Sequence, residues 1–351
     1  MWEVDESSYG SGEVLMLSVQ SAAARVRNHV EELGLADTVS PVFSSLAAPR
    51  APHTTGKMDW SSELARIRFG LPAVRSLALI EQQMEGHSRD LLISLAGHLK
   101  RRTEAERHDA VLQWCAEVYV VAQLAHYRWP VRPIFLAEPR SSSSSKNPEV
   151  AVRLDGIGTL AVEVKAPRLT QYRDEWSRST VQLTSRLPQG TVSLADKLKP
   201  RDNPVKDFLL SANEKFAGMK QDNPGLTSML FIAWDDFVNE PLAALLAPSS
   251  GLLTDNSFYR EGDMAVKFPN LDYVIIGRQL RQFDRALRGQ PPVDGRPDCF
   301  AFPKGDDFPP NVHIPVSGAD TPALYLATLA LNSYSAHPNP GCSRGLTRIR
   351  E

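Results

Sequence analysis

The sequence predicts an α/β protein in which helices flank a mixed central β-sheet. Residues 147–167 alternate apolar and polar side chains on both sides of a glycine-rich turn, which is the pattern of a β-hairpin. Residues 228–234 form an unbroken apolar run between a Pro-Gly pair and an Asp-Asp pair, as expected for a buried central strand. Helical segments precede and follow these strands in the chain.

Composition and charge narrow the class of protein. The 351 residues are 42% hydrophobic and 23% charged, which is typical of a globular chain with one large or two smaller domains. With a net charge of −2, the chain is not basic overall, so binding of nucleic acid would require a local patch of basic residues. Cys115, Cys299 and Cys342 are widely spaced, which fits a reducing cytoplasm. We expect no signal peptide and no transmembrane helix.

Three regions are expected along the chain. Residues 1–100 form a helical N-terminal region with helices at 14–35, 61–69 and 72–99. Its histidines have no ligand spacing, and packing on the core, dimerisation and target recognition all remain open for it. Residues 101–290 form the core, and residues 291–351 a loop-rich C-terminal α/β extension with one helix.

The elements of the core follow in order. A capping box at Thr103–Glu106 opens a helix that runs to about His126 and ends before Pro130. Then come a strand at 134–137, the hairpin, a helix at 204–218 closed by glycine, the strand at 228–234, a helix at 241–246, a strand at 271–276 and a basic helix at 278–288. Residues 291–315 are expected to be mostly loop, ahead of a helix at 321–331.

The hairpin register decides which side chains meet. The apolar residues of both strands are even-numbered, so they share a face only if opposed residues have an even sum. A three- or five-residue loop, or a bulge at a turn glycine, meets this condition. The same register places Glu149 beside Glu163, with Lys165 one step along. Asp155 belongs to the turn and lies too far along the strands from Glu163 to share an ion with it.

Two carboxylates and an ammonium group in one patch suit a hard divalent cation. Mg²⁺ and Mn²⁺ favour carboxylate, carbonyl and water oxygens, so the main-chain carbonyl of Val164 could be a further ligand. Lys165 could orient or deprotonate water and offset charge on a phosphate. A solvent-facing Glu–Lys pair on a strand edge is the alternative interpretation of Glu163 and Lys165.

With Pro148 included, the motif P-E-(x)13-E-V-K resembles that of the PD-(D/E)xK nuclease superfamily, with Glu149 where that pattern usually has Asp. The resemblance covers roughly residues 104–235 and implies a restriction-endonuclease-like αβββαβ core. It also implies an additional acidic ligand from the helix before the sheet. Glu117 lies at the matching place on that helix. The alternative interpretation is that Glu117 lies at the boundary of the apolar stripe of the helix and pairs with a basic residue on the surface.

The segment after the hairpin is rich in basic and aromatic residues. Basic side chains expected to bind the phosphate backbone are Arg168, Arg173, Lys197, Lys199 and Arg201. A solvated loop is the alternative. On the next helix, Lys215 or Asn213 could face the site, but we expect both on the surface. Asp235 and Asp236 are interpreted as polar residues at a strand end rather than as metal ligands.

The resemblance implies a Mg²⁺- or Mn²⁺-dependent nuclease that hydrolyses phosphodiester bonds, with DNA as the expected substrate. Glu149, Glu163 and Lys165 would be catalytic, and Glu117, Glu149, Glu163 and the Val164 carbonyl would hold the metal. Restriction or anti-phage defence is the expected context, with a homodimer or a defence-system protein as partner and no membrane. One alternative is a catalytically degenerate nuclease-fold module that binds nucleic acid or a protein, and another is a structural subunit of a larger assembly.

Overall fold

The computed structural model describes residues 12–35, 64, 66–101, 103–139, 147–168, 203–235, 239–301, 311–317 and 321–335. These residues form eight helices, a mixed seven-stranded sheet and a separate two-stranded ribbon. The predicted α/β class is therefore confirmed. No helix in this part of the chain is long and apolar enough to cross a membrane.

The helices are α1 (Gly12–Glu32), α2 (Leu71–Gln83), α3 (His87–Leu99), α4 (Glu104–His126), α5 (Asn203–Asp222), α6 (Asn239–Leu246), α7 (Leu280–Leu287) and α8 (Pro322–Ala330). A π-helical turn, Arg66–Gly70, precedes α2. The strands are β1 (Pro133–Ala137), β2 (Val150–Leu154), β3 (Gly158–Lys165), β4 (Leu226–Ala233), β5 (Arg260–Glu261), β6 (Met264–Ala265), β7 (Tyr273–Gly277), β8 (Asn311–Pro315) and β9 (Ser333–Ser335).

The described parts of the N-terminal region are mostly helical, as predicted, but residues 72–99 are two helices rather than one. Gly86 has φ of 83°, which ends the helical path between α2 and α3. The buried carboxylate of Glu81 accepts hydrogen bonds from Gly86 N at 3.1 and 3.2 Å and from Ser88 Oγ at 2.6 Å. Glu81 thus holds the start of α3 against the end of α2, because the first amides of a helix lack partners within it.

The strand order in the large sheet is β1-β2-β3-β4-β7-β8-β9. Strands β1 to β3 are antiparallel neighbours, whereas β3, β4 and β7 run parallel. Helix α4 shares a buried cluster with Val162 and Val164, and α5 shares another with Ala161 on the opposite face. Strand β3 is therefore covered on both faces.

The C-terminal region departs from the prediction. Asn311–Pro315 is strand β8, antiparallel to β7, and β9 adds an edge strand parallel to β8. The prediction of mostly loop for 291–315 is wrong at this strand. Val312 and Ile314 are buried, so their alternation places a short strand where the flanking prolines had indicated a loop.

Helices α4 and α5 carry Glu117 and Lys215, two of the residues considered for the site. The predicted capping box of α4 is confirmed: Thr103 Oγ1 accepts from Glu106 N at 3.2 Å, and the Glu106 carboxylate accepts from Thr103 N at 3.3 Å. Helix α5 runs past the predicted end at Gly218 to Asp222. It continues because its buried apolar face extends to Met219.

Candidate functional site

The predicted hairpin register is confirmed. Val150 pairs with Val162 and Leu154 with Gly158, so opposed residues have an even sum. A three-residue turn, residues 155–157, joins the strands, and Ile157 N donates to Leu154 O at 3.0 Å. Gly156 has φ of 74°, a conformation that glycine adopts without steric cost. Asp155 is exposed at the hairpin tip, as expected for a turn residue.

Glu149 departs from this register by one residue. Its N–H donates to Val162 O at 3.1 Å, although Val162 is already the partner of Val150. Two residues opposite one is the arrangement of a β-bulge. The prediction that Glu149 continues the ladder directly opposite Glu163 is therefore wrong in its backbone pairing. The carboxyl group of Glu149 nevertheless lies close enough to Glu163 and Glu117 for its pKa to respond to both charges.

Glu163 is the centre of the site. It alternates with Val162 and Val164 along β3, so its side chain is on the α5 face of the sheet, and it is fully buried. Its Oε1 accepts from Lys165 Nζ at 2.5 Å and from Lys215 Nζ at 2.6 Å. Its Oε2 is buried without a hydrogen-bond partner among the described residues. The alternative of a solvent-facing Glu–Lys pair is wrong.

Gln113, which no sequence pattern singles out, connects α4 to the end of β3. Gln113 Nε2 donates to Glu117 Oε1 at 2.7 Å and to Val164 O at 3.1 Å, while Gln113 Oε1 accepts from Ala166 N at 2.6 Å. The side-chain amide of Gln113 therefore bonds to the main chain at the end of β3. It does so beyond Val162, the last residue of β3 that pairs with β2. Because Gln113 is one turn before Glu117 on α4, this contact also holds the Glu117 carboxyl group at the end of β3.

Burial and mutual repulsion set the protonation of the carboxyl groups. Burial raises the pKa of Glu149 well above its ordinary value, and the charges of Glu117 and Glu163 raise it further. Burial also raises the pKa of Glu117, against the opposing hydrogen bond from Gln113. Burial would lower the pKa of Lys165, but the adjacent Glu163 outweighs it and the pKa is raised. Lys165 is therefore a fixed positive charge rather than a base ready to take a proton.

The donor set fits a hard cation in chemistry but is not assembled around one. Within the described residues, no group of three or more His, Cys, Asp or Glu side chains has an arrangement that could hold a metal ion. The side chains are arranged around two ammonium groups instead, and Gln113 occupies Glu117 Oε1. Still, a buried carboxylate oxygen without a described partner, two neighbouring carboxyl groups and the Val164 carbonyl are all-oxygen donors of the kind Mg²⁺ and Mn²⁺ bind.

The other predicted site residues are distributed as follows. Arg168 is exposed just beyond β3, whereas Arg173, Lys197, Lys199 and Arg201 lie outside the described residues. The expectation that Lys215 is a surface residue is wrong, since its side chain is 15% exposed and contacts Glu163. Asn213 Oδ1 accepts from Asn270 N at 2.9 Å, a contact that supports a loop rather than the site. Asp235 is buried just beyond the end of β4, and Asp236 lies outside the described residues.

Comparisons with protein-family models, with curated proteins and with solved structures find no match to this chain. The functional interpretation therefore rests on the geometry of the site and on the motif that Glu149, Glu163 and Lys165 form.

The raised pKa of Glu149 predicts a stability that depends on pH. A carboxyl group whose pKa is higher in the folded than in the unfolded state binds more protons when folded. Its contribution to the free energy of unfolding is therefore present at low pH and is lost as pH rises from the ordinary value of 4.5 through the folded pKa. Glu149→Gln removes this loss, so we expect it to melt at a higher temperature than the wild type near neutral pH. The difference should vanish in acid.

Thermal melts of both proteins across the pH range, without added divalent cation, check this expectation. Asp155→Asn is the matched control, because Asp155 is exposed in the turn of the same hairpin. It should lose some stability, whereas Glu149→Gln should gain stability. A Glu149→Gln variant that is less stable than the wild type at neutral pH would show that the carboxyl group has a favourable buried partner.

Proposed function

We propose that this protein is a Mg²⁺- or Mn²⁺-dependent nuclease that hydrolyses phosphodiester bonds, with DNA as the preferred substrate. The observation that carries the proposal is the state of Glu163. It is fully buried, two ammonium groups hold one of its oxygens, and the other oxygen has no partner in the described structure. Two more carboxyl groups, Glu117 and Glu149, are within electrostatic reach.

The order of elements supports a restriction-endonuclease-like core. Helix α4, strands β1, β2 and β3, helix α5 and strand β4 follow one another as αβββαβ. The second motif, Glu163-Val164-Lys165, ends β3, the strand that pairs antiparallel with β2 and parallel with β4. The first motif, Pro148-Glu149, comes directly before β2. These positions agree with what the resemblance to PD-(D/E)xK nucleases implies.

The charge of the site favours a phosphodiester as substrate. When all three carboxyl groups are ionised, Glu117, Glu149 and Glu163 exceed Lys165 and Lys215 by one negative charge. A divalent cation supplies positive charge at the phosphate and acidifies water. With that cation the site has one positive charge in excess, which a phosphodiester monoanion neutralises. Glu163, Glu149 and Glu117, with the Val164 carbonyl, are the residues that would hold the cation.

Lys165 has a separate role in this proposal. Its ammonium stays charged because Glu163 raises its pKa, and it lies at the end of β3 with a side chain 23% exposed. A fixed, partly desolvated charge stabilises negative charge that develops on a phosphate, since it needs no reorganisation during the reaction. Lys165 therefore orients water and offsets phosphate charge, and does not serve as the base.

A nuclease fold that binds nucleic acid or a protein without hydrolysis is the second candidate. The β-bulge at Glu149 favours it, because it shifts the first motif residue from the position opposite Glu163. The absence of an assembled ligand cluster among the described residues favours it as well.

A cleavage assay separates the two candidates. Plasmid, linear duplex, single-stranded DNA and RNA are incubated with the protein in Mg²⁺, in Mn²⁺ or in EDTA. We expect cleavage of at least one DNA substrate with either cation and none in EDTA. Binding without cleavage under every condition supports the second candidate. If the protein neither binds nor cleaves nucleic acid, the first candidate is contradicted and only the binding of a protein remains of the second.

The basic segment that begins at Arg168 predicts a salt-dependent affinity. Each lost phosphate contact should lower the magnitude of the slope of log K against log salt by about 0.9 on duplex DNA. Arg173→Ala and Lys199→Ala should therefore weaken binding to all sequences alike. Binding isotherms at a series of salt concentrations check this. An unchanged slope in a variant lacking both charges would identify the segment as a solvated loop.

A further inference from the structure

Helix α5 carries two lysines that pair with buried carboxylates. In one of these pairs, both carboxylate oxygens have several hydrogen-bond donors. Lys220 Nζ lies 2.8 Å from both oxygens of Asp272. Asp272 Oδ1 also accepts from Ser317 Oγ at 2.7 Å, and Oδ2 accepts from Ser228 N at 2.8 Å. Each oxygen of Asp272 therefore has at least two donors, which is the arrangement of a structural anchor between α5, β4 and β7.

In the other pair, Lys215 with Glu163, only one of the two carboxylate oxygens has donors among the described residues. Lys215 donates to the oxygen that already accepts from Lys165, while Glu163 Oε2 has no partner among the described residues. Two like charges at one oxygen repel each other. If Lys215 leaves, Lys165 remains as the partner of Glu163.

Lys215 can also change its partner. The side chains of Lys215 and Lys165 are both partly exposed, at 15% and 23%, and a lysine ammonium is a point charge on a flexible stem that binds phosphate without a fixed orientation. Lys165, by contrast, is two residues from Glu163 on the same strand face, so its ammonium stays near that carboxylate. Of the two ammonium groups, Lys215 is the one that can be exchanged.

We propose that Lys215 is a phosphate-binding residue of the site, which exchanges its contact with Glu163 for a backbone phosphate of a bound nucleic acid. This inference rests on the proposed function, because it takes the substrate from there. It assigns α5 a direct contact with the substrate, in addition to the basic segment before it.

The test measures binding in EDTA, where cleavage does not interfere. Fluorescence anisotropy of a labelled DNA duplex gives the affinity of each protein at a series of KCl concentrations. Lys215→Gln keeps a donor for Glu163 but removes the charge, so the magnitude of the salt slope should fall by about 0.9. Lys215→Arg keeps the charge and should keep the slope. Lys220→Gln, on the same helix, removes a charge that is paired with both oxygens of Asp272 and should also keep the slope.

Two further outcomes are decisive. A wild-type slope in Lys215→Gln, with wild-type protein that binds and cleaves, overturns this inference and leaves the proposed function intact. An equal fall in slope for Lys215→Gln and Lys220→Gln also overturns it, because a general loss of charge would then explain both. Wild-type protein that does not cleave any substrate contradicts the proposed function instead. Thermal melts confirm that each variant is folded before its slope is compared.

Discussion

Glu163→Gln is expected to remove most of the metal-dependent cleavage. The amide keeps the shape of the side chain but removes its negative charge. That charge pairs with both ammonium groups of the site and would bind the cation. Loss of groups that only support metal ligands costs about 10- to 100-fold, so loss of this ligand should lower the rate by about a hundredfold or more. Higher Mg²⁺ or Mn²⁺ concentration should restore part of the rate, because the lost interaction is with the cation.

The fold should survive this substitution. Breaking a buried ion pair by removing one partner costs about 3–5 kcal/mol in unfolding free energy when the other charge is stranded. Here Glu117 and Glu149 can ionise more readily once the charge of Glu163 is gone, because that charge contributes to their raised pKa values. They then serve as counterions for Lys165 and Lys215. Circular dichroism and thermal melts measure this, and a folded Glu163→Gln variant with wild-type activity would contradict the assignment of Glu163.

Lys165→Met is expected to lower the maximal rate without changing the dependence on cation concentration. Electrostatic stabilisation of a developing charge by one fixed donor is worth about 10²–10³ in rate. The carboxyl groups that would hold the cation are unaltered in this variant, so the dependence of the rate on cation concentration should not change. Initial rates at a series of Mg²⁺ concentrations separate the maximal rate from the apparent cation affinity.

The two substitutions should therefore change different kinetic quantities. Glu163→Gln should raise the cation concentration needed for half of the maximal rate, whereas Lys165→Met should lower the maximal rate itself. Lys165→Arg is the control, since it keeps the charge at the end of β3. If Lys165→Met changes only the apparent cation affinity, Lys165 is a counterion of Glu163 and takes no part in the chemical step.

Patterns confined to a few residues predicted much of the fold. The capping box at Thr103 places the start of α4, because a cap is a contact between residues three apart. The even-numbered apolar residues of the hairpin require the observed register, because one face of β2 and β3 packs against α4. Strand β8 was missed because its pairing with β7 is a long-range contact that outweighs the local effect of proline.

The candidate site was predictable only where its residues are close in sequence. Glu149, Glu163 and Lys165 share one hairpin, so alternation and spacing bring them together. Lys215 contacts Glu163 from helix α5, 52 residues further along the chain. Nothing in the local pattern of α5 distinguishes Lys215 from an exposed lysine. Gln113 meets β3 across 51 residues and is likewise undetectable from spacing. Contacts between layers of the fold have no period in the sequence.

We propose that Glu163 binds a divalent cation through Oε2, the oxygen that has no partner among the described residues. Crystals soaked in Mn²⁺, with anomalous diffraction recorded above the manganese edge, test this. We expect an anomalous peak about 2.1 Å from Glu163 Oε2, with Glu149 or Glu117 as a further ligand. A wild-type crystal with Mn²⁺ bound elsewhere and no peak at Glu163, from protein that is active with Mn²⁺, would contradict it.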